Sequence, residues 1–153
     1  MNALAIARLL ALIVPAALMA GALGSQYIGG LHPCEMCEWQ RWPHYAAIVL
    51  ALLAFVARSQ ARTLTILAAL AIVISGAIGV FHAGVEYGWW EGLTRCSTVG
   101  GSDDVLADIM SAPLVRCDEV QWSLFGISLA GFNAIISLAA GATILKLCLK
   151  PRP

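Results

Sequence analysis

Four stretches, at about residues 9–28, 43–57, 63–81 and 124–147, run almost without charge, and they constrain the chain more than any other feature. A bilayer-spanning helix needs about 20 predominantly apolar residues. The stretches satisfy this with one short member, the second. Its apolar part, Tyr45–Ala57, reaches only about 20 Å at 1.5 Å per residue. It is therefore expected to extend back through Trp42 toward Trp39, or to sit where the bilayer thins. Pro43 is expected in the first turn of that helix, where its missing N–H costs little. Composition agrees: 60% of the residues are hydrophobic and 12% charged, against about 25% charged in soluble domains. Nine basic residues balance nine acidic ones. This excludes an ordinary soluble domain, a disordered chain and a basic nucleic-acid binder. Arg8, the apolar run and the small residues Ala20–Gly21–Ala22 resemble a signal peptide. The run is longer than the about 7–15 residues of a signal core, so a first span is the better reading. No internal repeat or linker is visible. The expected fold is an all-α membrane protein, a single integral domain over 1–153 built as a four-transmembrane-helix bundle. Small residues at helical spacing, Ala20/Gly24 and Ser75/Gly79, suit close helix packing. Asn133, polar at membrane depth, is expected to hydrogen-bond a neighbouring helix.

Charge orients the bundle. Arg8, Arg58, Arg62, Lys146, Lys150 and Arg152 lie at the N-terminus, the second connection and the C-terminus, where no acid occurs. All nine acids lie in the two other loops, about 29–42 and 84–123. The positive-inside rule puts both termini in the cytoplasm and those two loops outside. Four of the five cysteines go with them: Cys34, Cys37, Cys96 and Cys117. Cys148 alone falls at the inner end, and is read as a thiol without a catalytic role.

An oxidising compartment permits disulfides on the outer side. Four cysteines allow three pairings. Cys34–Cys37 with Cys96–Cys117 is the natural one, because each pair then lies within one loop. A C-x-x-C bridge closes too short a loop to add much stability. A zinc site would favour paired C-x-x-C motifs, and two isolated cysteines do not supply the second. Haem attachment wants a histidine directly after the motif, where Glu38 stands. A redox dithiol suits the spacing best, with structural bridges next and metal last.

The neighbourhood sharpens that reading. Arg41 follows Cys37 by four residues and would share its helical face. Its guanidinium could support a Cys37 thiolate and hydrogen-bond an acceptor oxygen, where Glu35 and Glu38 oppose the thiolate. Trp39, Trp42, Trp89 and Trp90 suggest an interfacial belt that sets the motif at the membrane surface. Ser102-Asp103-Asp104 ahead of Val105, Leu106, Ile109 and Met110 predicts a short helix lying on the outer leaflet.

These residues together resemble the disulfide bond formation protein B (DsbB) family. The resemblance is carried by Pro33-Cys34-Glu35-Met36-Cys37 with Arg41, the segment Phe81–Trp90, Cys96, and Arg116-Cys117-Asp118-Glu119 leading to Trp122-Ser123-Leu124-Phe125-Gly126. It covers essentially the whole chain. The vitamin K epoxide reductase family uses similar cysteines but places its loop pair before its C-x-x-C. The resemblance implies a bacterial inner-membrane oxidoreductase with two periplasmic redox loops. Such a protein re-oxidises a periplasmic DsbA-like thiol oxidase and passes the electrons to a membrane quinone, ubiquinone or menaquinone. It implies that the partner attacks Cys96, that Cys117 is its loop mate, that Cys34 resolves the second pair and that Cys37 faces the quinone. Arg41 matches the family arginine at the quinone. His82 falls where a quinone-adjacent histidine is expected, or else caps the third span or settles at the interface. No resident metal is implied. Three departures stand out: a compact 96–117 loop, a short C-terminal tail and the acidic Glu35. The alternative is a non-catalytic scaffold whose disulfides only staple its outer loops.

Overall fold

The computed structural model describes residues 2–93 and 115–150. Its elements are α1 (Ala3–Tyr27), α2 (Glu35–Val56), a single 3-10 turn (Arg58–Gln60), α3 (Ala61–Glu86), a hairpin of β1 (Ser123–Leu124) and β2 (Ile127–Ser128), and α4 (Leu129–Leu149). Three segments, Ala3–Tyr27, Arg58–Glu86 and Leu129–Leu149, are long and apolar enough to cross a membrane. The helix α2 is as long, but its first turns carry Glu35, Glu38 and Arg41. Cys96 and the expected 102–110 helix lie outside the described residues.

The helix α2 starts earlier than its apolar part because Cys34 caps it. The Cys34 sulfur accepts from the Cys37 N–H at 3.3 Å, and Glu35 and Glu38 occupy the positive first turn. Pro43 consequently lies inside the helix rather than in its first turn. There it removes one backbone hydrogen bond.

Alanines pack the half of the bundle that holds the chain termini: Ala7, Ala11, Ala47, Ala51, Ala68 and Ala69 are buried around Ile72 and Ile144. Van der Waals contact between small residues is what holds helices together in lipid. Ser75 is buried and Gly79 fits tightly, where a Cβ would meet Ala130 O at 3.0 Å and Ala134 N at 3.1 Å. Ala20 and Gly24 make no such seam. Ala20 is exposed and a Cβ on Gly24 would meet nothing within 4 Å. Arg8 lies within α1, its guanidinium 4.3 Å over the Phe55 ring. Cys148 is buried in this core, near the C-terminal end of α4. Serine there is expected to leave turnover within twofold of wild type in a thiol-oxidation assay.

The fourth apolar stretch does not begin as helix. Ser123 pairs with Ser128 and Leu124 with Ile127, around a two-residue turn with Phe125 at φ 52° and Gly126 at φ 76°. Both central residues of such a turn need positive φ, which glycine adopts freely and phenylalanine at a cost of about 1–2 kcal/mol. The hairpin is pinned to the end of α3. The Tyr87 hydroxyl donates to Gly126 O at 2.9 Å and accepts from Ser128 N–H at 2.8 Å. Ser128 then caps α4, its Oγ accepting from Gly131 N–H at 3.1 Å. The Ser128 hydroxyl also donates to the Glu86 carboxylate.

Candidate functional site

One end of the bundle gathers Cys34, Cys37 and Cys117. Cys34 and Cys37 are thiols with their sulfurs 3.0 Å apart. Cys117 is fully buried in one cluster with Cys34, Met36 and Val85. His82, near the end of α3, points Nε2 at the Cys34 sulfur at 3.5 Å. The Glu86 carboxylate, one turn on, is 3.8 Å from the same nitrogen. The site thus unites the start of α2, the end of α3 and the segment before the hairpin.

The face of α2 that carries Cys37 continues as Gln40, Arg41 and His44, at i+3, i+4 and i+7. Gln40 and the Nδ1 of His82 are 2.8 Å apart. The Asn133 amide donates to Gln40 Oε1 at 2.7 Å and to the Ser75 hydroxyl at 3.1 Å. Its oxygen accepts from His44 Nε2 at 2.9 Å and from the Ser137 hydroxyl at 2.9 Å. Asn133 therefore does hydrogen-bond neighbouring helices, and a polar chain runs from Cys34 into the bundle. His44 is buried, and its Nδ1 has no hydrogen-bond partner among the described residues. Arg41 is also buried. It donates to Gln26 Oε1 at 2.7 Å, to Glu38 Oε1 at 2.9 Å and to Ala22 O at 3.4 Å.

Against this polar face lies a cavity of about 220 Å³. Small residues of α1, Ala17, Gly21, Ala22 and Ser25, form its opposite wall. Cys37, Arg41, His82 and His44 all border it, and Leu18, Leu129 and Phe132 give it apolar surface.

The two sulfurs differ in their surroundings. The hydrogen bond from the Cys34 thiol holds the Cys37 thiol below its usual range, against desolvation, and Arg41 adds a smaller favourable charge. The same hydrogen bond, with burial, pushes Cys34 up. The charge that opposes the Cys37 thiolate is Glu86. Of the two acids expected to do so, Glu38 is instead paired with Arg41. Chemically, this is a dithiol with one sulfur disposed to be a thiolate at the edge of a mixed polar and apolar cavity.

Of the residues singled out from the sequence, the structure brings Cys34, Cys37, Arg41, His82 and Cys117 together. His82 is buried against Cys34 rather than capping its helix or lying at the interface. Trp39, Trp42, Trp89 and Trp90 are exposed around this end. Sequence reasoning missed Gln40, His44 and Glu86. The helical spacing from Cys37 pointed to the first two, since Gln and His on one face of an otherwise apolar helix require a partner. Glu86 reads from the sequence as solvated charge, yet its side chain is buried between His82 and Ser128.

The family model for the disulfide bond formation protein DsbB matches residues 5–147. The chain belongs to the DsbB family. Two proteins named disulfide bond formation protein B are similar to it. That of Verminephrobacter eiseniae is 33% identical over 92% of this chain and 84% of the relative. That of Marinobacter nauticus is 29% identical over 82% of this chain and 80% of the relative. An uncharacterised protein of Rickettsia prowazekii is 25% identical over 74% of this chain and 70% of the relative. No solved structure matches. Membership in the DsbB family makes this a multi-pass membrane protein of disulfide bond formation.

Proposed function

We propose that this DsbB-family protein re-oxidises a periplasmic DsbA-like dithiol oxidase and delivers the electrons to a membrane quinone. The observation that carries the reading is the burial of Cys117 against Cys34, beside a cavity that reaches Cys37 and Arg41. In this reading four helices span a bacterial inner membrane as one domain, with the cysteine loops in the periplasm.

The exchange begins when a partner thiolate attacks Cys96 in a Cys96–Cys117 disulfide. The partner's second thiol then closes its own disulfide and leaves both loop cysteines reduced. The Cys117 thiolate next attacks the Cys34 sulfur of the oxidised Cys34–Cys37 pair, and Cys37 departs as a thiolate. Attack of Cys96 on Cys117 restores the loop disulfide and leaves Cys34 and Cys37 as the reduced pair. A bound quinone supplies a two-electron, two-proton acceptor, and because a DsbA-like partner is itself strongly oxidising, the driving force must come from that acceptor. The donor set fits such a ring: a cationic side chain beside Cys37, apolar walls, and at His44 a buried nitrogen without a partner. Arg41 would hydrogen-bond an acceptor oxygen and hold positive charge beside it. His82 holds a proton at Nε2 beside Cys34, and the cavity walls exclude water from the sulfurs.

Arg41→Ala is expected to weaken quinone affinity at least about tenfold, or 1.4 kcal/mol. The quinone Michaelis constant measures it, and an unchanged value would remove Arg41 from the acceptor site. The reading as a whole is tested by mixing detergent-solubilised protein with a reduced DsbA-like oxidase and a soluble quinone analogue. Quinone absorbance should fall only when the reduced partner is present. No fall, with the outer cysteines staying in disulfides, would favour the stapled scaffold.

A further inference from the structure

We propose that the reduced Cys34–Cys37 pair and His82 form a three-ligand site for a thiophilic cation, zinc being the natural probe, which exists only while the pair is reduced. The sulfurs of Cys34 and Cys37 and a ring nitrogen of His82 all lie within 4.8 Å of one another. Zinc bonds to sulfur at about 2.3 Å and to imidazole nitrogen at about 2.0–2.1 Å, which separates tetrahedral donors by roughly 3.5–3.8 Å. The 3.5 Å from Cys34 to His82 Nε2 already meets this, and the sulfurs, 3.0 Å apart, must separate by somewhat under about 1 Å. Small side-chain rotations therefore suffice. Two cysteines, one histidine and an open fourth position make up one known class of zinc site.

The surroundings suit a cation. Binding releases the thiol protons, so that two thiolates and one zinc ion leave the buried site without net charge. The Glu86 carboxylate is 3.8 Å from His82 Nε2 and adds negative potential. A metal-bound histidine keeps its proton on the other nitrogen and gives it to an acceptor. Gln40, 2.8 Å from Nδ1, would supply that acceptor by turning its amide oxygen to the ring, at the cost of the bond that oxygen accepts from Asn133. Oxidation to the disulfide removes two of the three donors at once. Zinc would thus trap the reduced pair, with no change of oxidation state at either sulfur or metal. The site does not depend on which acceptor the pair normally reduces.

The test uses the full chain in detergent, reduced and then freed of reductant without air. Zinc affinity is read by competition with a chromophoric chelator. One zinc per chain is expected in the reduced protein, and none after oxidation of Cys34–Cys37. His82→Ala should weaken binding at least tenfold, and Cys34→Ser should abolish stoichiometric binding. Equal binding by oxidised protein, or full affinity in either variant, would overturn the site. Cobalt in wild-type protein gives a readout independent of the variants. A thiolate-to-cobalt absorption band with tetrahedral visible bands is expected, and its absence would equally overturn the proposal.

Discussion

Serine at Cys37 is expected to reduce quinone-linked turnover to background while leaving the protein able to capture its partner. An alcohol is not ionised at neutral pH and cannot close a disulfide, so the electron pair has no exit beyond Cys34. The capture cysteine, Cys96, is untouched by the change. Turnover is measured by quinone absorbance, and capture by a covalent adduct with the partner on a non-reducing gel. The hydrogen bond between the two sulfurs, 3.0 Å long, is what favours the thiolate at Cys37. A variant that turned over normally would show that Cys37 is not the sulfur from which electrons leave, and the exchange order would have to be redrawn.

The second large effect is expected far from any reacting atom, at Gly84. The Trp90 ring lies directly on this glycine, so a Cβ there would overlap the indole. The same ring stacks on Phe81 with centroids 5.9 Å apart, and its Nε1 donates to Phe81 O at 2.9 Å. The half-exposed indole rests on Gly84 and Phe81, so a Cβ at position 84 must push the ring off the helix and break its bond to Phe81. Gly84→Ala is expected to cost about 1–3 kcal/mol, as overpacking does. Thermal unfolding in detergent should show the loss, and tryptophan emission should shift to the red as Trp90 is expelled. Removing the obstruction with Trp90→Leu in the same chain should recover part of the stability. An alanine variant as stable as wild type would mean that Trp90 does not rest on α3.

The helical stretches were readable because lipid imposes a long apolar run on each, and charge has few other places to go. Leu124–Ser128 misled for the same reason: Leu, Phe and Ile there extend the apolar run and read as helix. Only Gly126 hinted at a turn, and its partner Phe125 is a residue that rarely takes positive φ. The start of α2 at Glu35 turned on a cysteine acting as the cap, a role ordinarily filled by Ser, Thr, Asp or Asn. Within the site, the link between Cys37 and Arg41 is local and followed from spacing. The approach of Cys117 and His82 to Cys34 is tertiary, and no local pattern could supply it. Gln40 and His44 sit between these cases. Their spacing was visible, but their meaning required Asn133, some 90 residues away along the chain, to close the hydrogen-bonded row.

The uneven fastening of α1 decides how a greasy molecule could enter. Arg41 clasps this helix near its outer end, through Gln26 and Ala22, and Arg8 rests on Phe55 at the other. Between those points α1 offers the small residues Ala17 and Gly21 to the cavity wall. Polar bonds across α2, α3 and α4 make that trio a stiff frame. A slight sideways swing of α1 therefore disturbs mainly dispersion contacts, which lipid tails can replace. The cavity would then open like a side door into the hydrocarbon, and a tailed molecule could slip in head first without ever meeting water.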